Sequence, residues 1–388
     1  MICGSKKMVI GNMENRVKIV YLIDILDGFH GGTENQLVKL INGLNRKKYL
    51  PHLICLNNSG WFRKNCLYFN SKTTGIDINN FRKLNTYINF LKLVRMLKRD
   101  KPDVVHTFFP TSNIVGVLAA KVASIKNIIS SRRDYGEWIN RRYLLGTKVA
   151  NRFVQKIIVN SHSVKRLTVL EENVQEDKVE VIYNGIDLPR FEGIKGNSWI
   201  RSELNIPYGS KVVGIIANFR PMKRHDTFVK AAKEILQMRD DVEFILIGGQ
   251  AQREEMEILG EYLNIKKHLH FMGVQRDIMP YLSIMDIGVN CSEKEGLSNA
   301  VMEYMAAGVP CVVSNAGGNP DLITHNVNGY TFELGDYNSL ASLILNLLDD
   351  QKTKEKFVRN SREKIEKEMS LEAMISKYES LYERNMQN

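Results

Sequence analysis

Glu295 and Glu303 are separated by seven residues in the run Glu295-Gly-Leu-Ser-Asn-Ala-Val-Met-Glu303. The run follows a strand-like stretch from Asp286 and reads as a short loop, then a helix capped by Ser298 or Asn299 and ending at Ala307. Gly308 and Pro310 follow in the order that closes helices. The amides of Gly296, Leu297 and Ser298 then open onto a cleft, where a helix N-terminus favours phosphate oxygens. Glu303 lies roughly 7.5 Å further along the helix axis, about the separation of a diphosphate from the ribose hydroxyls of its own nucleotide. A carboxylate placed there accepts two vicinal O–H groups in charge-assisted bonds. Glu295 falls on the far side of the phosphates, where a leaving sugar stands. Two acids near a helix start are also explained by the helix dipole alone. A glycosidase pair needs its carboxyls about 5 Å apart, and a turn plus a helix argues for a longer separation.

A second segment, Asn218-Phe-Arg-Pro-Met-Lys-Arg-His225, places Arg220, Lys223 and Arg224 within five residues after a strand. Such a cluster suits a diphosphate, arginine through its planar fork and lysine as a point charge. Cations at a helix N-terminus oppose the dipole, a conflict that a bound anion resolves; the bland alternative is a solvated charged loop. A third segment, Gly28-Phe-His-Gly-Gly-Thr-Glu34, follows the first strand. Gly31 and Gly32 let backbone N–H groups approach an anion, or merely make a tight turn. This is not the Gly-x-Gly-x-x-Gly fingerprint, and no acid closes the second strand, so a nicotinamide dehydrogenase is disfavoured.

The elements that must position these segments are legible in the rhythm of the chain. Its 388 residues, 44% hydrophobic and 25% charged, describe a globular protein with room for two domains. Strand-like runs begin at Val17, His52, Asp103, Asn127, Lys156 and Lys178, and the rhythm restarts at Lys211, Val242, His270, Asp286 and Cys311. Helical patterns fall between them; in the one over residues 85–99, Ile88, Leu91, Val94 and Leu97 are expected on one face at spacings of three. A polar stretch at 189–209 divides the two series. Alternating strands and helices imply parallel sheets covered on both faces, with ligand loops at the carboxyl ends of the strands.

The net charge of +11 favours an anionic partner. Five scattered cysteines (Cys3, Cys55, Cys66, Cys291, Cys311) show no metal or disulfide spacing, so a reducing cytosol is expected. No apolar run approaches the ~20 residues of a spanning helix, and residues 1–16 read as an extension without a secretory core.

The run from Glu295 to Glu303, continued by Tyr-Met-Ala-Ala-Gly-Val-Pro-Cys-Val-Val-Ser-Asn-Ala-Gly-Gly, resembles the signature of family 4 retaining glycosyltransferases of the bacterial surface-polysaccharide type. Asn160-Ser-His-Ser-Val164 and Val181-Ile-Tyr-Asn-Gly-Ile-Asp187 resemble that family's inter-domain segments, and Gly31-Gly-Thr-Glu34 its first loop. The likeness runs from about Val17 into the C-terminal tail and is most specific in the second half. It implies an α/β protein of the GT-B fold, two Rossmann-like parallel-sheet domains facing across a cleft. Residues 17–200 would form the acceptor domain and 201–371 the nucleotide-sugar domain, with a last helix, about 372–388, crossing back onto the first.

Residue by residue, the resemblance implies that Glu303 holds the ribose and Glu295 the hydroxyls of the transferred sugar. The amides of Gly296, Leu297, Ser298 and Asn299 meet sugar and phosphate, and Lys223 is the diphosphate lysine. Asn218 occupies the position where the family usually has a partner arginine, and Arg220, two residues on, substitutes for it. Arg224, Gly31 and Gly32 complete the expected donor site. His106 stands at the first position of a His-x-His that the family often shows, the second being Phe108 here; it reads equally as a sugar or acceptor contact and as a core residue.

The implied reaction moves a sugar from a UDP- or GDP-linked donor to a hydroxyl acceptor with retention, the leaving phosphate accepting the acceptor's proton. No Asp-x-Asp pair is placed to chelate a metal and the cationic loop can replace one, so no metal or other cofactor is expected. Residues 131–156 carry seven cations (Arg132, Arg133, Arg141, Arg142, Lys148, Arg152, Lys156) and two acids, with Trp138 and Tyr143 interleaved. This segment is either a solvated face or a contact with an anionic membrane surface, which would suit a cytoplasmic, peripheral enzyme with a saccharide or lipid-linked saccharide acceptor. Nucleic acid is not expected, since no binding motif accompanies the charge. A nucleotide-sugar epimerase of the same fold and a non-catalytic nucleotide-sugar-binding protein stay open as alternatives.

Overall fold

A computed structural model describes residues 16–27, 32–78, 84–135, 141–194, 198–249 and 252–387. Gly31, Trp138 and the extension up to residue 15 lie outside the described residues. In the first half, β1 (Val17–Ile23), β2 (Tyr49–Cys55), β3 (Lys72–Gly75), β4 (Val104–Phe108), β5 (Asn127–Arg132), β6 (Lys156–Val159) and β7 (Val179–Val181) form a seven-stranded sheet in the order β3-β2-β1-β4-β5-β6-β7. In the second half, β8 (Lys211–Ile216), β9 (Val242–Ile247), β10 (Leu269–Gly273), β11 (Ile287–Asn290), β12 (Cys311–Ser314) and β13 (Tyr330–Phe332) form a six-stranded sheet in the order β10-β9-β8-β11-β12-β13. Every pairing is parallel. Helices cover both faces, which is why β4 and β9 are buried along their whole length. The edge strands β3 and β13, with four and three residues, are too short for their periodicity to show in the sequence.

Strand order reverses between β1 and β4 in one sheet and between β8 and β11 in the other. Loops leaving the carboxyl ends of strands beside such a reversal splay apart and leave a crevice. The cationic loop leaves β8 and the two-glutamate run leaves β11, so both candidate segments open at the same crevice. The helices used below are α1 (Gly32–Gly43), α2 (Leu84–Asp100), α3 (Arg141–Ala150), α4 (His162–Glu172), α5 (His225–Met238), α6 (Asn299–Ala307) and α7 (Leu371–Gln387).

The last helix, α7, returns to the first sheet: Met374, Tyr378, Leu381 and Tyr382 share a buried cluster with Ile19, Tyr21 and Tyr49. This packing overturns the ligand role considered for His106. Its side chain is wholly buried, Nδ1 lying 2.9 Å from the Tyr382 hydroxyl and Nε2 2.8 Å from Ser131 Oγ. Burial, aided by the Arg133 charge, holds it well below the usual histidine range. It is a neutral core residue tying α7 to the sheet.

The inward face of α2 also differs from the expectation. Leu93, Val94 and Leu97 are buried, but Ile88 and Leu91 are exposed. Three residues turn a helix by about 300°, so a run at strict spacing of three drifts about 60° per step around the helix. Ile88 and Leu97 therefore cannot share a face.

Candidate active site

A cavity of about 540 Å³ lies between the two sheets. Gly32, Asn218, Arg220, Lys223, Glu295, Gly296, Leu297, Asn299 and Glu303 all line it, so most of the candidate donor residues converge on one space. The cavity receives helix N-termini from both halves. A Cβ on Gly32, at the start of α1, would lie 2.9 Å from Nδ2 of Asn299, at the start of α6. Two positive dipole ends meeting in this way favour an anion between them.

On the β11 side, Ser298 caps α6 by accepting from the Val301 amide, and Gly308 closes it at φ +75°. Asn290, the last residue of β11, donates from Nδ2 to Glu295 Oε2 (3.2 Å) and Ser298 Oγ (3.0 Å). Its Oδ1 accepts from the Ser292 amide and from Asn319 Nδ2 (3.1 Å). One buried amide thus fixes the turn and the orientation of its carboxylate. Lys223 Nζ reaches across from the β8 loop to Glu295 Oε1 at 2.8 Å. Burial alone would push the Glu295 carboxyl up; the Lys223 charge and hydrogen bonds from Lys223, Ser292 and Asn290 outweigh it and hold the group below the usual range.

Glu303 sits one turn and more inside α6 without such a partner. Burial pushes its pKa up to about 7, moderated by the charges of Lys39 and Arg190. Lys39 projects from α1 and donates to the Gly185 carbonyl (3.1 Å). The two glutamates therefore differ in kind: Glu295 is held as an anion by its partners, whereas burial brings the Glu303 carboxyl up to about 7.

This geometry coincides with the likeness to known proteins. Residues 198–364 match the family described as Glycosyl transferases group 1, and residues 30–190 match Glycosyltransferase Family 4. The chain belongs to glycosyltransferase family 4. It is 27% identical over 304 residues to an Escherichia coli UDP-Gal:alpha-D-GlcNAc-diphosphoundecaprenol alpha-1,3-galactosyltransferase, covering 76% of this chain and 78% of that one. It is 28% identical over 328 residues to a Campylobacter jejuni N,N'-diacetylbacillosaminyl-diphospho-undecaprenol alpha-1,3-N-acetylgalactosaminyltransferase, covering 79% and 84%. The Anabaena protein HepE, solved with UDP, superposes with a TM-score of 0.83 at 19% identity over 95% of this chain and all of that one, which shows the shared GT-B fold. The epimerase and non-catalytic alternatives give way to a transferase.

Several expected residues of the transferase take other places. Arg224 turns from the cavity to Asp226, with Nε 3.0 Å from Oδ1. Asp226, in the first turn of α5, resolves the conflict between that cation and the helix dipole within the protein itself. The Ser298 side chain is spent on its cap. Arg132 and Arg133 also leave the basic surface expected of residues 131–156. Arg132 forms a buried pair with Glu172 of α4, Nε to Oε1 at 2.6 Å and Nη2 to Oε2 at 2.9 Å. Arg133 donates to Tyr378 (3.1 Å) and to Asn184. Breaking a buried pair leaves an uncompensated charge. Glu172→Ala is therefore expected to lower stability by about 3–5 kcal/mol, read by urea unfolding, and a double replacement of Arg132 and Glu172 by apolar residues to recover most of it.

Residues that sequence reasoning left without a role complete the site. Asn184 Nδ2 donates to Asn299 Oδ1 (2.9 Å), linking the inter-domain segment to α6. Asn160 is 3% exposed and lines the cavity, and its Oδ1 is without a hydrogen-bond partner. Asn160 and Asn184 both fall in the quoted inter-domain segments, so the signal was present but carried no role. Asn290 and Asn319 had no local signal at all. Gly296 is required by close approach: a Cβ there would lie 2.3 Å from the Arg133 carbonyl oxygen. Gly318 is required likewise, a Cβ falling 2.0 Å from the Gly296 carbonyl oxygen.

Proposed function

We propose that this transferase moves a glycosyl group from a UDP-linked sugar to a hydroxyl of a lipid-linked saccharide, with retention of configuration, in the assembly of a surface polysaccharide or glycolipid. The convergence of Lys223, Arg220 and two helix N-termini on one cavity carries the reading, with Glu295 and Glu303 at its edges. The relatives' names supply the substrate classes, a UDP-linked sugar and a diphosphoundecaprenol acceptor.

In this reading the ribose hydroxyls donate to Glu303, and the diphosphate lies against the Gly296–Asn299 turn with Lys223 and Arg220 opposite. Glu295 accepts from hydroxyls of the transferred sugar. As the glycosidic bond breaks, negative charge grows on the leaving diphosphate, where preorganised cations and amides stabilise the transition state more than the bound substrate. The acceptor hydroxyl attacks from the same face and passes its proton to the leaving phosphate oxygen, so no protein base is needed. Asn160 Oδ1 is available to accept a hydroxyl of sugar or acceptor. Closure between the halves excludes the water that would hydrolyse the donor. In this reading the cationic loop does the work of a metal ion.

No helix among the described residues is long and apolar enough to cross a membrane. Arg141, Arg142, Lys148 and Arg152 are exposed, and with the net charge of +11 they support peripheral contact with an anionic membrane on the cytoplasmic side. Nucleic acid has no place in this reading. A thermal-shift panel of UDP- and GDP-sugars tests it: a ligand at 100 times its dissociation constant adds about 2.7 kcal/mol. A shift by UDP-sugars only, transfer activity that survives EDTA, and a product with the donor's anomeric configuration are the expected results. A panel without any shift, or activity restored only by a divalent metal, would overturn the corresponding part.

A further inference from the structure

Helix α2 is apolar on two sides. Its inner side packs on the first sheet, while Leu84, Tyr87, Ile88 and Leu91 are 75%, 57%, 42% and 51% exposed. Spaced i, i+3, i+4 and i+7, these four form one stripe on the outer side. Such a stripe in water is unfavourable and calls for apolar cover. From Tyr87 the surface runs into a groove of about 490 Å³ between α2 and α3, within the size range of pockets that bury small ligands. Its walls are Phe90, Ile114, Val115, Leu118, Tyr143 and Gly146, and the charged group on its lining is Arg142.

The first turn of α3 places its two arginines in different surroundings. Arg142 borders the apolar groove. Arg141 borders a second cavity of about 350 Å³, which shares Thr33, Arg133, Asp134 and Tyr135 with the donor cavity. One turn of helix thus separates a space lined mostly by polar and charged residues, which adjoins the donor cavity, from an apolar space, with a cation on each side.

We propose that the groove between α2 and α3 holds the hydrocarbon chain of a polyisoprenyl diphosphate acceptor, its diphosphate held by Arg141 and Arg142 and its saccharide directed into the cavity beside the donor. This inference rests on the lipid-linked acceptor class read above. It assigns the three chemical parts of such an amphiphile to three adjoining features: polar cavity, cationic turn and apolar groove. An ordinary phospholipid would use the groove and a cation but would leave the polar cavity unexplained. The exposed Leu145 and Val149 of α3 add further apolar surface on the same helix.

The test titrates the UDP-saturated protein with farnesyl diphosphate and, separately, with inorganic diphosphate, two probes that differ only in the chain. The expected result is at least about tenfold tighter binding of farnesyl diphosphate, equivalent to about 1.4 kcal/mol. Leu118→Trp, which fills the groove, and Tyr87→Ser, at its exposed rim, should each abolish most of that preference while the UDP-induced thermal shift persists, showing that the variants fold. Equal affinity for the two probes, or a preference that survives both substitutions, overturns the proposal. Displacement of farnesyl diphosphate by phosphatidylglycerol micelles at matched concentration also overturns it, assigning the groove to bulk lipid. Absence of any UDP shift with the farnesyl preference intact would strike the donor reading and leave the groove standing.

Discussion

Lys223→Ala is expected to lower kcat by about 10²–10³-fold, or roughly 2.7–4 kcal/mol of transition-state stabilisation, with a smaller loss of nucleotide affinity. The ammonium opposes the charge that develops on the leaving diphosphate, so its contribution is largest when the glycosidic bond is breaking. It has a second task in the resting protein. At 2.8 Å it is the cation that keeps Glu295 ionised against burial. Removing it leaves a carboxylate without compensation, and the alanine variant should be less stable as well as slow. Adding Glu295→Gln removes that charge. The double variant is therefore expected to regain stability without regaining turnover, a separation read by thermal unfolding and steady-state kinetics with the donor selected by the panel. Recovery of turnover in the double variant would show that Lys223 acts only by offsetting the charge of Glu295.

Glu303→Gln should abolish most of the nucleotide-induced thermal shift and, with no ligand, make the protein more stable at alkaline pH. The sign follows from linkage. The folded pKa of about 7 is raised above the ordinary glutamate value of 4.5. Between these values the folded protein keeps a proton that the unfolded chain has lost, so the stability this carboxyl contributes at low pH disappears as pH rises through about 7. The difference is on the order of 3 kcal/mol. Wild type and variant should unfold at similar temperatures near pH 4, where the side chain is neutral in the folded and the unfolded chain alike, and the variant at a higher temperature near pH 8. Nucleotide affinity of the wild type should rise with pH through the same window as the ionised carboxylate becomes available to the ribose hydroxyls. The variant lacks this component, which separates it from titration of the phosphate itself. A variant no more stable than wild type at pH 8 would mean that Lys39 and Arg190 already neutralise the group. Glu295→Ala, by contrast, should harm turnover more than nucleotide affinity, because the partner proposed for it is the sugar.

The persistence of an unfavourable carboxyl inside α6 fits a binding role. A site that must grip two neutral hydroxyls benefits from an acceptor whose charge is uncompensated until the ligand arrives, and resting stability is lowered in consequence. Glu295 shows the opposite arrangement, satisfied in advance by Lys223 and Asn290, as suits a group that must keep one orientation throughout the reaction.

What could be read from the residue order was local and periodic. The β-branched runs marked strands and their alternation with helical patterns marked two parallel sheets. The cap at Ser298 and the stop at Gly308 bounded α6, because caps and left-handed glycines depend on neighbours only a few residues away. The same locality placed Gly296, Asn299 and Glu303 on one short structure and Lys223 on another, each at the end of a strand. Contacts between segments far apart in the chain were not readable. Nothing in the spacing showed that Lys223 would meet Glu295 or that Arg132 would be buried against Glu172. His106 read equally as a ligand and as a core residue, and α7, nearly three hundred residues away, decided it by covering the side chain. Ile88 and Leu91 are as apolar as Val94 and Leu97 yet exposed, because burial depends on which face of the helix the rest of the protein covers. Periodicity fixes the path of the backbone within an element; the partners of a side chain are fixed only when the two sheets close on each other.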